Sequence, residues 1–149
     1  MSEENLDFHE PVPLGLTICD SVTRDLATGK TSLLGLFSGV VAATVPARVN
    51  FWAHAIISNV REDTEFQFMI VDSEDETVAK SPTNGDWMLL PKPADMMVEP
   101  ILLAYFGGLE LPRYGHYFVQ VWTKKRCIME RRLLLIEPQQ PTPPQEDQT

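Results

Sequence analysis

Residues 64–72 read TEFQFMIVD, and this stretch predicts the fold class more clearly than any other part of the chain. Large apolar side chains occupy positions 66, 68 and 70, while the positions between them hold Glu65, Gln67 and Met69. A period of two is typical of a β-strand, because successive side chains point to opposite faces of a sheet. The pattern therefore predicts a strand with one face on a core and the other in water.

Similar stretches lie on both sides of this one. Strands are predicted at residues 14–22, 31–37, 51–58, 64–72, 77–80, 97–106, 116–122 and 127–136. Glycine and proline signals separate them, and Gly107-Gly108 is expected to end the strand before it. No long segment shows the 3.6-residue period of a helix, although residues 94–103 could hold one helical turn. Many short strands at this spacing predict an all-β protein, an antiparallel β-sandwich of immunoglobulin-like or related type.

The 149 residues suffice for one domain with flexible ends. Residues 1–13 are acidic and polar, so we expect a flexible acidic arm. Residues 137–149 read EPQQPTPPQEDQT and hold no large apolar side chain. Burial of apolar surface cannot offset the entropy lost on ordering such a segment, so a disordered Pro/Gln-rich tail is expected. The sandwich domain is expected to span residues 14–136.

The charge balance narrows the class of partner. Twelve basic and 21 acidic residues give a formal net charge of −9, and the pI is near 4.7. A negative surface argues against binding to nucleic acid or an anionic membrane, and no apolar run is long enough for a transmembrane helix. We expect a protein partner, or self-association through an edge strand, because an open sandwich leaves strand edges unpaired.

The N-terminal residues MSEENLDFHE lack the basic and apolar regions of a secretory signal, so a cytoplasmic location is expected. Cys19 and Cys127 lie far apart in apolar stretches and are predicted to be buried thiols rather than a disulfide. The sequence has no zinc-finger spacing, no phosphate-binding glycine loop and no GxSxG nucleophile motif. We therefore expect no cofactor and no enzymatic activity.

Two alternatives invoke a metal ion. His54 and His116 could meet in a small metal-dependent hydrolase, since neutral imidazole is a common ligand, although their spacing forms no metal-binding motif. The acidic run Asp72–Glu76 could bind calcium, as oxygen-rich loops do in some β-sandwiches. The same run is also typical of a solvated hairpin tip.

A basic cluster stands out against the overall acidity. It comprises Lys124, Lys125, Arg126, Arg131 and Arg132, five of the twelve basic residues. On a hairpin the cluster would form a positive stripe that could dock an acidic partner or a phosphate-bearing ligand. Alternatively, it protects exposed strands from aggregation, or it is neutralised by the chain's own acidic arm or tail.

Trp87 and Met88 lie in the irregular segment 81–93, beside Leu89 and Leu90. A tryptophan in a loop can anchor a protein interface. It can equally close the open end of a sandwich, and the sequence leaves both interpretations open.

Two sets of residues carry a family resemblance. The segments ICD (18–20), TGK (28–30) and LLGLF (33–37) resemble the opening of a group of small uncharacterised bacterial proteins. The segment LPRYGHY (111–117) is similar to the Pro-x-x-Gly-x-Tyr strand start of immunoglobulin-like sandwiches. The resemblance covers residues 14–136 and implies a cytoplasmic bacterial β-sandwich, without catalytic residues to carry over.

The same residues have a physical interpretation of their own. Gly115 lets the chain turn into the strand, and Tyr117 can bury its ring while its hydroxyl reaches a backbone group. Together these patterns predict a non-catalytic binding or protein-interaction module. Its candidate contact surfaces are the segment 81–93 and the basic hairpin 124–132.

Overall fold

The computed structural model describes residues 10–82, 86–95 and 97–139. Most of the predicted arm, most of the predicted tail and part of the irregular segment 81–93 lie outside the described residues. The described part contains ten strands: β1 (Val12–Arg24), β2 (Thr31–Leu36), β3 (Gly39–Val41), β4 (Ala47–Ser58), β5 (Thr64–Asp72), β6 (Thr77–Ser81), β7 (Met88–Leu90), β8 (Ile101–Leu111), β9 (Gly115–Thr123) and β10 (Cys127–Ile136). Over the same residues, no helix is long and apolar enough to cross a membrane.

The described strands form two sheets that face each other. The four-stranded sheet has the order β2-β1-β4-β8, and the six-stranded sheet has the order β3-β10-β9-β5-β6, with β7 also paired to β5. Strand β3 runs parallel to β10, and the other pairings are antiparallel. The predicted fold class, an antiparallel β-sandwich, is therefore confirmed.

The core lies between the two sheets and is built from alternate residues of each strand. In β4, the odd-numbered residues from Ala47 to Ile57 are buried and face the other sheet. The Phe51 ring stacks on that of Phe106, with 5.2 Å between centroids, and meets the Phe37 ring edge-on at 6.2 Å. Each such buried side chain contributes about 2 kcal/mol through removal of apolar surface from water.

Strands β5 and β10 have the predicted bounds, but the bounds predicted for β8 are wrong. The strand begins at Ile101 and continues through Gly107-Gly108 to Leu111. Gly108 takes a φ of 61° and donates its N–H to Asn50 Oδ1 over 2.6 Å. The glycine pair thus forms a bulge inside the pairing with β4, as glycine does where a strand must bend.

The segment before β8 forms a turn at the place where the sequence allows a helical turn. Val98 donates its N–H to the Asp95 carbonyl, and Met97 donates to Asp95 Oδ1 over 2.9 Å. The side-chain bond satisfies the backbone at this point, as short polar residues do in turns. The described residues of this segment contain no helix.

The second face of β5 is not in water as the alternation predicts. Gln67 is only 2% exposed and donates Nε2 to the Asp86 carbonyl over 3.2 Å. The residues that lead into β7 therefore pass over this face. At the N-terminus, β1 begins at Val12, so the last two residues of the predicted arm belong to a strand.

Candidate functional site

The predicted basic hairpin exists, and its tip is paired with acidic residues of the same chain. The Thr123 N–H bonds to the Arg126 carbonyl over 2.9 Å, which closes the β9–β10 turn. Lys124 Nζ lies 2.7 Å from Glu65, and Arg126 Nη2 lies 2.5 Å from Glu10. Glu10 belongs to the predicted acidic arm. Its ion pair with Arg126 agrees with the interpretation that the arm neutralises part of the basic cluster.

The hairpin tip forms one side of a cleft of about 380 Å³. Its lining combines basic, acidic, apolar and hydroxyl side chains. The residues that line it are Glu10, Pro11, Glu62, Asp63, Thr64, Glu65, Leu89, Thr123, Lys124, Lys125, Arg126 and Ile128. Four acids and three bases leave the cleft close to neutral, so it does not offer the positive surface that the sequence suggested.

The positive stripe does not form because the other two arginines point to opposite faces. Arg131 pairs in register with Val119, whose side chain is buried in the core, whereas Arg132 pairs with Phe118 and is exposed. Arg131 donates Nη1 to the Leu16 carbonyl over 3.1 Å. Strand β2 pairs with β1 only from Cys19 onward, so Arg131 satisfies a carbonyl on the part of the β1 edge that β2 leaves open.

Trp87 and Met88 are half-buried rather than freely exposed. Lys124 Nζ lies 5.8 Å from the centre of the Trp87 ring, within the range of a cation–π contact. Met88 starts β7, pairs with Phe66 and packs against the core. The structure thus brings Trp87 and the hairpin tip together, and it covers Met88.

The two histidines of the proposed metal site lie on different sheets, so that alternative is wrong. His54 is on the outer face of the four-stranded sheet, since its neighbours Ala53 and Ala55 face the core. His116 is on the outer face of the six-stranded sheet, next to the inward-facing Tyr117. Packed sheets lie about 10 Å apart, and both imidazoles point away from the space between them.

The acidic run 72–76 uses its first carboxylate to shape the turn. Asp72 Oδ1 accepts the N–H groups of Glu74 and Glu76 over 2.9 and 3.0 Å. Asp72 Oδ2 accepts a bond from Arg113 over 3.1 Å. Both oxygens are therefore occupied by protein donors. Within residues 10–82, 86–95 and 97–139, no group of three or more histidine, cysteine or acidic residues is arranged to hold a metal ion.

The outer face of the four-stranded sheet carries an uncharged, largely apolar surface that the sequence analysis missed. Its residues form three rows across the strands: Leu36, Cys19, Trp52 and Tyr105; then Thr17, His54 and Leu103; then Gly15, Ile56 and Ile101. Leu34 extends the surface along β2, opposite Ser21. We call this set of residues the apolar face.

Several side chains of the apolar face are open to solvent. Leu36 is 64% exposed, Leu34 54% and Tyr105 51%, while Ile101 and Leu103 are about 40% exposed. The Trp52 and Tyr105 rings lie 5.0 Å apart at a tilt of 41°. The rows contain no lysine, arginine or acidic residue.

Burial holds His54 and Cys19, two residues of the apolar face, in their neutral forms. Burial lowers the pKa of His54 below its ordinary 6.5, because the imidazolium form is poorly solvated there. Burial likewise raises the pKa of the Cys19 thiol, with the nearby Asp20 carboxylate acting in the same direction. At neutral pH the apolar face therefore bears no formal charge.

A signal for the apolar face exists in the sequence. Residues 101–106 read ILLAYF and residues 51–57 read FWAHAII, so consecutive positions are apolar instead of every second one. Strands that are covered on both faces show such continuous runs, whereas strands with one wet face alternate. In this chain the inner face of these strands is covered by the core, and the apolar face is the second one.

Comparison with known proteins places the chain in a family. A family of unknown function (DUF6941) matches residues 14–133. The chain belongs to this family. The resemblance to small uncharacterised proteins is thereby confirmed, and the DUF6941 match includes every row of the apolar face. No curated protein matches the sequence.

Among solved structures, this DUF6941 chain is similar to an immunoglobulin-like protein from Pseudomonas aeruginosa. The two are 13% identical and superpose with a TM-score of 0.45, over 85% of this chain and 97% of the other.

Proposed function

We propose that this protein is a non-catalytic interaction module of the cytoplasm that binds a partner protein through the apolar face. The observation that carries the proposal is a sheet whose inner face lies on the core and whose outer face holds a second, partly exposed apolar surface. The second face of an antiparallel sheet is polar when it meets water. A contiguous apolar surface on a folded protein is typical of an interaction site.

The composition of the apolar face supports binding to a protein. Trp52 and Tyr105 pack against each other at one end of the first row. Rigid aromatic side chains supply large contact area at low entropic cost, and they dominate the energetics of many interfaces. The strands beneath hold these groups in fixed positions, which reduces the ordering cost of binding.

The cleft beside the hairpin tip is less suited than the apolar face to bind a partner. Lys124 and Arg126 already have carboxylate partners, and Lys124 also lies beside the Trp87 ring. An acidic ligand would have to displace these contacts before it gained its own. The apolar face requires no such exchange.

The proposal is tested by capture from an extract of the native host with matched variants. Leu103→Glu places a charge in the apolar face, and Leu26→Glu makes the same change at a residue that is 98% exposed in the β1–β2 turn. At least one protein, counting untagged copies of this chain, should bind the wild type and Leu26→Glu but not Leu103→Glu. If every captured protein is retained by Leu103→Glu, the apolar face is not the binding surface.

A further inference from the structure

The partner on the apolar face is, we infer, a second copy of this chain. The inference rests on the proposed function and names the occupant of the same surface. Two copies pack apolar face against apolar face about a two-fold axis, so that two four-stranded sheets lie between two six-stranded ones. Stacked sheets pack about 10 Å apart with interdigitated side chains, which is the arrangement already present in the core.

The exposed apolar area accounts for more than half of the surface that each copy buries in a stable dimer. A fully exposed large side chain presents roughly 200 Å². From their exposed fractions, the five most open side chains of the apolar face present about 500 Å² of mostly apolar surface. A stable interface buries about 800 Å² on each partner, and its outer part is an ordinary polar rim. The apolar face therefore supplies the central part of an interface of standard size.

The apolar face meets the electrostatic condition for contact with its own copy. A two-fold interface must be complementary to itself, because the same patch serves on both sides. A charged patch of either sign would repel its own copy. The apolar face has no acidic or basic side chain in its rows, although the chain carries a net charge of −9. The absence of charge in these rows, within so acidic a chain, is the property that self-association requires.

The experiment is sedimentation equilibrium of the full chain over a wide range of concentration. The wild type should reach twice the 16.8 kDa chain mass. Leu103→Glu and Leu36→Glu should raise the dissociation constant of the dimer more than about a hundredfold, because each buries an unpaired carboxylate. Leu26→Glu should remain dimeric, and circular dichroism checks that each variant is folded.

A second measurement uses the wild type alone and so does not depend on how the variants fold. Leu36 and Tyr105 should be protected from hydroxyl-radical oxidation at concentrations where the dimer forms and lose protection on dilution. Leu26 is the internal control, with equal oxidation at all concentrations. Oxidation of Leu36 and Tyr105 that does not change with concentration overturns the inference.

Three results separate this inference from the proposed function. A wild type that stays at 16.8 kDa overturns self-association, while face-dependent capture of another protein would leave the interaction module in place. A dimer that persists in both face variants overturns the inference and places the contact outside the apolar face, as at the strand edge named in the sequence analysis. Loss of the dimer in both face variants, with retention in Leu26→Glu, supports the inference and the proposed function together.

Discussion

The burial of His54 in the apolar face makes the stability of the protein depend on pH. It is 6% exposed, in the middle of a row between Thr17 and Leu103. Because burial lowers its pKa, the folded chain takes up the imidazole proton at a lower pH than the unfolded chain does. Between these two pKa values the unfolded state binds more protons than the folded state. The contribution of neutral His54 to stability is therefore fully present above about pH 6.5 and is lost as the pH falls towards the pKa of the folded state.

The His54→Gln variant should remove this pH dependence. Urea denaturation between pH 7.5 and 5 should show a smaller decrease in the free energy of unfolding for His54→Gln than for the wild type. His116→Gln serves as the control, since it makes the same substitution at an exposed histidine outside the apolar face. Parallel profiles for the wild type and His54→Gln would show that His54 does not titrate with folding.

Asp72 and Glu10 both form ion pairs, but the two pairs differ in burial and therefore in how much they stabilise the protein. The Asp72 side chain is 9% exposed and bonds Arg113 and two backbone N–H groups. In the other pair, the Arg126 side chain is 60% exposed and that of Glu10 31%. Exposed pairs contribute about 0–1 kcal/mol, whereas loss of charged hydrogen bonds in a covered site costs about 2 kcal/mol or more.

Asp72→Ala should therefore lower the free energy of unfolding by about 2 kcal/mol or more, and Glu10→Ala by less than about 1 kcal/mol. Urea denaturation at neutral pH measures both values. A loss for Glu10→Ala as large as that for Asp72→Ala would mean that the hairpin-tip cleft is a structural element rather than a surface feature.

The connection between β8 and β9 joins the two sheets, and Tyr117 holds it in place. The Tyr117 hydroxyl donates to the Arg113 carbonyl over 2.7 Å and accepts the Arg113 N–H over 3.0 Å. The residue is 3% exposed, so both bonds are shielded from water. The sequence predicts that this hydroxyl reaches a backbone group, and the structure identifies that group as the backbone of Arg113.

Tyr117→Phe should destabilise the protein by about 1–3 kcal/mol, since it leaves backbone groups of the connection unpaired. Tyr114→Phe is the matched control, because the half-buried Tyr114 hydroxyl donates a hydrogen bond of 2.8 Å to the Ala42 carbonyl. Chemical denaturation of both variants gives the comparison. An equal or larger effect at Tyr114 would contradict the role assigned to Tyr117.

The strands differ in how well the neighbouring sequence predicts their bounds. The bounds of β5 and β10 follow from alternation and from turn residues next to them in the chain. The path of β8 through Gly107-Gly108 does not, because it depends on the hydrogen bond between Gly108 and Asn50, which is 58 positions away. The neutralised hairpin tip likewise depends on Glu10, 116 positions from Arg126. Contacts of this range arise only when the sheets assemble.

At the scale of the whole molecule, the apolar face and the net charge act in opposite directions. Burial of the apolar face favours association, whereas two bodies that each carry −9 repel each other. The repulsion acts over the Debye length, which falls from about 30 Å at 0.01 M salt to about 3 Å at 1 M. Salt therefore weakens the repulsion between the two copies and leaves the apolar contact intact.

The dimer should consequently become tighter as salt is added. Sedimentation equilibrium should show the dissociation constant of the dimer falling about tenfold between 0.02 and 0.5 M sodium chloride, because the salt shortens the Debye length. The double variant Glu74→Gln/Asp75→Asn removes two charges from the exposed β5–β6 turn, away from the apolar face, and should reduce this salt dependence. A dissociation constant that rises with salt would mean that ion pairs drive the association, and the contact would then belong to the charged hairpin-tip cleft.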